Sequence, residues 1–308
     1  MVKKTEQQAA DYIVPLDING MQGRMLHMPP PKGKSKEILF VYGHHSSLER
    51  WWGLAQVLNT YGAVTMPDLP GFGGMDSFYT IGKQPTIDNF ADYLAAFIKL
   101  RYKRKKCVIA GMSFGFIIVT RMLQRYPEMT KHVEMVVSVA GFAHRDDFII
   151  PRPWYNLYRL TGYVFAHRAP AFLFSKLFFN SFVLRQAYKI DSNRKMKGHD
   201  PEVFERMLAM EVSLWRINDW RTAAVTIKQF LEVDNCQVQV HLPIYHVGMK
   251  GDQYFDNYRV EQHLRIIFDD FHLMALVDAK HHAPSVIATK QETWPFVPVK
   301  LRRVLNKL

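Results

Sequence analysis

Gly111-Met112-Ser113-Phe114-Gly115 is the segment of this chain best equipped for covalent chemistry. A serine hydroxyl is a weak nucleophile until a base takes its proton, and histidine, titrating near neutrality, suits that task. Two adjacent histidine pairs stand out, His44-His45 and His281-His282. A base of this kind works with a third group that orients it. Asp252 follows the apolar run Ile244–Val247, and Asp146 and Asp147 follow the run Val133–Val139. On its own G-x-S-x-G is short enough to arise by chance, and its plainer reading is a strand–helix turn with small residues. Here it follows Val108-Ile109-Ala110 directly and opens a helix over Phe116–Leu123, the strand–turn–helix setting of a nucleophile elbow. So tight a turn strains the backbone at the serine. Side chains at positions 111 and 115 would collide with neighbouring backbone, and the helix N-terminus offers free N–H groups to a developing oxyanion.

The elements that must hold these residues alternate between strand and helix. Tyr12–Ile18 and Arg24–Met28 read as an antiparallel pair joined at Asn19-Gly20, a strong hairpin signal. The Pro29-Pro30-Pro31-Lys32-Gly33 stretch ends that pattern. Ile38-Leu39-Phe40-Val41-Tyr42 is a continuous apolar run, as in strands buried on both faces. Ser46 and Glu49 predict a capping box for a helix over Leu48–Leu58. Then come a strand at Ala63–Met66, a helix at Ile87–Leu100, a strand at Cys107–Ala110, a helix over Phe114–Arg125 that stops before Pro127, and a strand at Val133–Val139. After a gap the alternation resumes with Ile244–Val247, a helix over Tyr258–Ile267, which Asp256 should cap, and Leu273–Val277. Such alternation predicts an α/β fold with a mostly parallel, doubly wound sheet. The gap, about residues 143–233, is aromatic and helical in pattern without strand signals. It reads as a cap domain inserted into a core made of residues 1–142 and 234–308.

With these elements in order, the chain resembles the α/β-hydrolase fold family. Val41-Tyr42-Gly43-His44 is similar to the family's His-Gly loop after the third strand. Asp68-Leu69-Pro70-Gly71-Phe72-Gly73 is similar to its D-x-P-G-x-G turn, and His281-His282-Ala283-Pro284 to its Gly-His-Ala-Pro loop. The resemblance spans roughly residues 12–143 and 234–306. It implies a catalytic triad of Ser113 as nucleophile, His282 as base and Asp252 as acid, in the family order Ser, Asp, His. His281 is the displaced alternative to His282, and Asp146 or Asp147 the alternative to Asp252. The implied oxyanion hole uses the backbone N–H groups of Phe114 and His44. Tyr42 departs from the family by replacing the histidine of the His-Gly pair, and His281 stands where the family has glycine. Serine at the elbow, where relatives that cleave epoxides or haloalkanes carry aspartate, points to acyl transfer through an acyl-enzyme. The expected activity is a cofactor-free serine esterase. Thioester, lactone, amide or C–C bond hydrolysis, acyl transfer to an alcohol, and non-catalytic ligand binding on the same fold are the alternatives.

Composition narrows the partners. The formal net charge is +12 over 308 residues. The densest basic run, Lys99 to Lys106, reads as a solvated helix end, and no nucleic-acid motif accompanies it. Nucleic acid is therefore not expected, and a small ester-like substrate is. His44-His45 lacks further ligands at plausible spacing, so no metal is expected. Cys107, within an apolar run, reads as a buried free thiol. A polar N-terminus and the lack of a long apolar stretch make a cytoplasmic protein the expectation. In the predicted cap, aromatics including Trp154, Tyr158, Phe172, Phe178 and Phe182 interleave with Arg152, Arg159, Arg168, Lys176 and Arg185. Burial of these rings predicts that they line an apolar pocket over Ser113. Contact with an anionic membrane surface is the other reading.

Overall fold

A computed structural model describes residues 7–191, 200–278, 282–283 and 288–307. Eight strands form one sheet: β1 (Ile13–Ile18), β2 (Met21–Met28), β3 (Glu37–Val41), β4 (Ala63–Pro67), β5 (Cys107–Met112), β6 (Val133–Val139), β7 (Ile244–Met249) and β8 (Phe271–Val277). Their order across the sheet is β1-β2-β4-β3-β5-β6-β7-β8. β1 pairs antiparallel with β2 and β2 with β4, and every later pairing is parallel. The β1–β2 turn has positive φ at both Asn19 (54°) and Gly20 (77°), the conformation that matches a two-residue loop to the twist of its strands.

Helices α1 (Trp52–Asn59), α2 (Ile87–Arg101) and α3 (Phe114–Arg125) connect the first strands. Five more, α4 (Arg152–Phe165), α5 (Arg168–Phe178), α6 (Ser181–Asp191), α7 (Pro201–Ile217) and α8 (Trp220–Leu231), lie between β6 and β7. α9 (Asn257–Ile267) links β7 to β8, and α10 (Lys290–Thr293) and α11 (Val299–Lys307) close the chain. β3 and β5 are buried on both faces, which is why their sequences are nearly unbroken apolar runs. On one face Phe40, Val108 and Val137 meet Leu54 and Leu58 of α1 and Leu301 and Leu305 of α11. Alternation along the strands turns Leu39, Val41 and Ile109 to the other face.

The expected helix over Leu48–Leu58 starts later than its sequence suggests, and its capping box does not form. A 3-10 turn at Glu49–Trp51 precedes α1. Ser46 Oγ instead accepts the indole N–H of Trp51 (2.7 Å), and Glu49 pairs with Arg24 (2.7 Å). Asp256 does cap α9, its carboxylate accepting the N–H groups of Tyr258 (2.9 Å) and Arg259 (3.3 Å). The basic run begins in the last turn of α2 with Lys99 and Arg101 and continues past the helix, where Lys105 pairs with Glu37 at 2.7 Å. Cys107 is a buried free thiol. No helix among the described residues is long and apolar enough to cross a membrane.

Candidate active site

Ser113 joins β5 to α3 with φ 51° and ψ −118°, a conformation that costs an L-residue free energy and persists only where its surroundings enforce it. Those surroundings explain both flanking glycines. A Cβ at position 115 would lie 2.2 Å from the carbonyl oxygen of Val41 and 2.4 Å from that of Tyr42; one at 111 would lie 2.7 Å from Cα of Phe116. The N-terminus of α3 is thereby pressed against the end of β3. Because β5, β6, β7 and β8 run parallel, Ser113, Asp252 and His282 all follow the carboxyl ends of strands at one edge of the sheet.

His282 and Asp252 come together there. His282 Nδ1 lies 2.7 Å from Asp252 Oδ2, and both side chains are largely buried. The other carboxylate oxygen, Oδ1, accepts the backbone N–H groups of Tyr254 (2.8 Å) and Phe255 (3.3 Å). With the carboxylate acting as acceptor, Nδ1 carries the proton and Nε2 keeps its lone pair. Nε2 is buried and has no hydrogen-bond partner among the described residues. The rings of Phe255 (5.1 Å) and Tyr254 (5.5 Å) flank the imidazole. His281 lies outside the described residues.

The alternative acids are engaged elsewhere. Asp147 is fully buried, where Oδ2 accepts the N–H groups of Ala143 (2.8 Å) and His144 (2.9 Å) and Oδ1 meets His263 Nδ1 at 2.5 Å. Asp146 is exposed beside His144.

The loop after β3 supplies the rest of the site. The side chain of His44 turns toward α8. Its Nε2 donates to the Ala223 carbonyl (3.2 Å) and lies 2.9 Å from Thr226 Oγ1, while its ring packs on Phe72, Phe114 and Phe230. Burial lowers its pKa to about 4, so the ring is neutral. His45, at φ 50°, packs on Trp215 with ring centroids 4.2 Å apart. Asn218 Oδ1 accepts the Gly73 N–H (2.8 Å), which leaves Asn218 Nδ2 to donate to His45 Nδ1 (3.2 Å). The His45 proton therefore sits on Nε2, which is also buried without a partner among the described residues. Burial, with the nearby His44 and Arg50, lowers its pKa to about 3.

A family model for the alpha/beta hydrolase fold matches residues 37–284, about four fifths of the chain. The chain belongs to the α/β-hydrolase fold family. No curated protein matches it by sequence. Among solved structures, the N-formylmaleamic acid deformylase of Pseudomonas putida S16 is similar at 14% identity and a TM-score of 0.62, over 95% of this chain and 99% of that one. The enol-lactonase of Burkholderia xenovorans LB400 is similar at 13% identity and 0.63, over 96% and 97%. A thermophilic esterase of Thermogutta terrifontis is similar at 15% identity and 0.60, over 96% and 98%. At these identities the likeness is one of fold.

Two features of this α/β-hydrolase were not anticipated from its sequence. Tyr42, the departure from the His-Gly pair, holds the D-x-P-G-x-G turn: its hydroxyl donates to Asp68 Oδ1 (2.8 Å) and accepts the Leu69 N–H (2.8 Å). Asp68 also binds the Gly74 N–H (2.8 Å) and Arg24 (2.9 Å), and Arg24 bridges to Glu49. Burial raises the Asp68 pKa to about 6, against the opposing charge of Arg24. The second feature is a correction. Tyr155, Phe165, Phe174 and Phe179 are partly buried, but Trp154, Tyr158, Tyr163, Phe172, Phe178 and Phe182 are exposed. The expected burial of the whole aromatic set fails because the rings fall on more than one face of α4 and α5, and only those turned toward the neighbouring helices are covered.

Proposed function

We propose that the protein is a serine hydrolase that cleaves carboxylic esters of apolar acyl or aromatic groups. Ser113 is the nucleophile, His282 the general base and Asp252 the group that orients the base. The observation that carries this reading is the His282–Asp252 pair at 2.7 Å, with Nε2 of the imidazole buried and unpartnered among the described residues. In the proposed cycle His282 Nε2 takes the Ser113 proton as Oγ attacks the ester carbonyl. The N–H groups of Phe114 and His44 hold the oxyanion. Collapse expels the alcohol, which receives its proton from His282. Water, deprotonated by the same nitrogen, then releases the acid.

The strained φ of Ser113 and the close approach of α3 to β3 support the nucleophile assignment. Esterase and lactonase structural neighbours support acyl transfer to water at the level of fold. Residues 143–233 are proposed as a cap between the two core segments, 1–142 and 234–308. In support, Asn218, Trp215 and Thr226 reach the histidines of the β3 loop. A cavity of about 450 Å³ among α5, α7 and α8 has Phe179, Trp215 and Trp220 in its wall beside Arg168, Arg216, Asp219 and Arg221, a lining of rings and charges that could hold an aryl group with a polar end. A reducing, cytoplasmic location is part of the proposal and accords with the free thiols of Cys107 and Cys236. The test is turnover of a p-nitrophenyl ester series of rising acyl length by the wild type and Ser113→Ala. Hydrolysis that is lost in the variant is expected. Equal turnover by both proteins would refute the reading.

A further inference from the structure

The helices that follow β6 carry an apolar surface that the fold leaves uncovered. On α4, Leu160 is 57% exposed and Tyr163 63%; on α5, Leu173 is 60% and Leu177 64%; Phe182 on α6 reaches 71%. Monomeric proteins rarely leave so many large apolar side chains together in water unless something covers them. α4 packs against α8 and α5, so the exposed side of each is the one turned away from the core.

The charges on this surface say what covers it. From Phe148 to Ala187 the chain carries Arg152, Arg159, Arg168, Lys176 and Arg185, and no aspartate or glutamate. Arg159 and Arg185 are held by Glu232 and Glu205 on neighbouring helices. Arg152 and Lys176 are exposed, and the Lys176 ammonium stands 5.6 Å from the centre of the Phe172 ring. Helices whose own residues bring tryptophan, tyrosine, phenylalanine, leucine and cations but no carboxylate, with Glu232 and Glu205 of neighbouring helices already paired to two of those cations, match an anionic lipid surface: side chains enter the acyl boundary and the remaining cations meet the headgroups. A second copy of the chain fits poorly. A two-fold contact sets the same patch against itself, and these cations would meet cations.

We propose that the exposed face of α4, α5 and the start of α6 docks this protein on anionic bilayers. The helices lie on the membrane surface and do not span it. The cavity beside α5 includes Arg168 and Phe172 of this same region, so the docked protein turns that cavity toward the lipid. The docking needs neither Ser113 nor His282 and stands apart from the hydrolase reading.

The experiment is co-flotation of the full chain with vesicles of phosphatidylcholine alone or mixed with phosphatidylglycerol, at low and high salt. The wild type should float with the mixed vesicles and not with phosphatidylcholine alone. Binding should weaken as salt shortens the screening length from about 10 Å at 0.1 M to about 3 Å at 1 M. Leu173→Glu with Leu177→Glu should cost about a hundredfold or more in vesicle affinity. Arg152→Gln with Lys176→Gln should cost roughly thirtyfold, the effect of two interfacial cations. Melting temperature and turnover of a soluble short-chain ester should be unchanged in both variants, so a folding defect would be visible. Wild type that ignores the mixed vesicles at low salt would overturn the proposal, as would a Leu173→Glu, Leu177→Glu protein that floats like wild type. A wild-type dimer that these substitutions dissolve, without vesicle binding, would assign the face to a second copy instead. Ester turnover is read separately, so loss of one reading leaves the other measurable.

Discussion

Replacing Asp252 by asparagine removes one charge and keeps the shape, and the local hydrogen bonds dictate how the new side chain must sit. Two backbone N–H groups, those of Tyr254 and Phe255, point at Oδ1 and need an acceptor. The amide oxygen of the substituted side chain will therefore take the Oδ1 place, because the NH₂ group there would face two donors. The NH₂ group then occupies the Oδ2 place, 2.7 Å from His282 Nδ1. A donor there forces Nδ1 to accept, so the imidazole proton moves to Nε2 and the lone pair needed for Ser113 is lost. The wrong tautomer in a serine triad costs about 10⁴ in kcat, on the order of 5 kcal/mol of transition-state stabilisation. The fold should hardly notice, since both turn N–H groups keep an acceptor. Asp252→Ala, which orphans them, should lower the melting temperature as well. The assay is steady-state hydrolysis of a p-nitrophenyl ester beside a thermal melt. A folded Asp252→Asn protein within tenfold of wild-type kcat would refute the reasoning.

Gly115→Ala should destabilise by about 3 kcal/mol, because its Cβ meets two backbone carbonyl oxygens at 2.2 and 2.4 Å; a chemical melt within error of wild type would contradict the packing described for the elbow. His246 is buried against Ser138, and burial lowers its pKa from 6.5 to about 4. Unfolding therefore takes up a proton, and the stability present above about pH 6.5 is lost as the pH falls toward 4. Asp68, raised from 3.8 to about 6, acts in the opposite sense over most of that window. His246→Asn should flatten the acid loss by on the order of 2–3 kcal/mol, read as melting temperature against pH. Phe179→Ala, which opens the cavity wall beside Trp215 and Trp220, should shift acyl-length preference toward longer chains with little change on acetate esters; an unmoved length profile would detach that cavity from substrate binding.

The sheet was legible because its central strands are buried on both faces and so write unbroken apolar runs, as at Ile38–Val41 and Val108–Met112. Turns with a demanding conformation were legible for the same local reason: Asn19-Gly20 needs two positive φ values, and Ser113 needs glycine on either side. Features decided by distant partners were not. Ser46 and Glu49 look like a cap until Trp51 and Arg24 claim them. Tyr42 is an unexplained departure until Asp68 is placed beside it. Asp147 stays an alternative to Asp252 until it is placed opposite His263, with Asp252 opposite His282. In α4 rings stand on both the inner and the outer face, Tyr155 and Phe165 part-buried and Trp154, Tyr158 and Tyr163 exposed, so aromatic content alone could not say which face solvent.

The central claim is that Ser113 is a nucleophile activated by His282. The most direct measurement is labelling of the folded protein with a fluorophosphonate, followed by peptide mass spectrometry. The claim predicts one phosphonylated residue, Ser113, in the wild type, with labelling abolished in Ser113→Ala and slowed by about three to four orders of magnitude in His282→Ala. A wild-type protein that remains unlabelled, or a label that persists in Ser113→Ala, would contradict it.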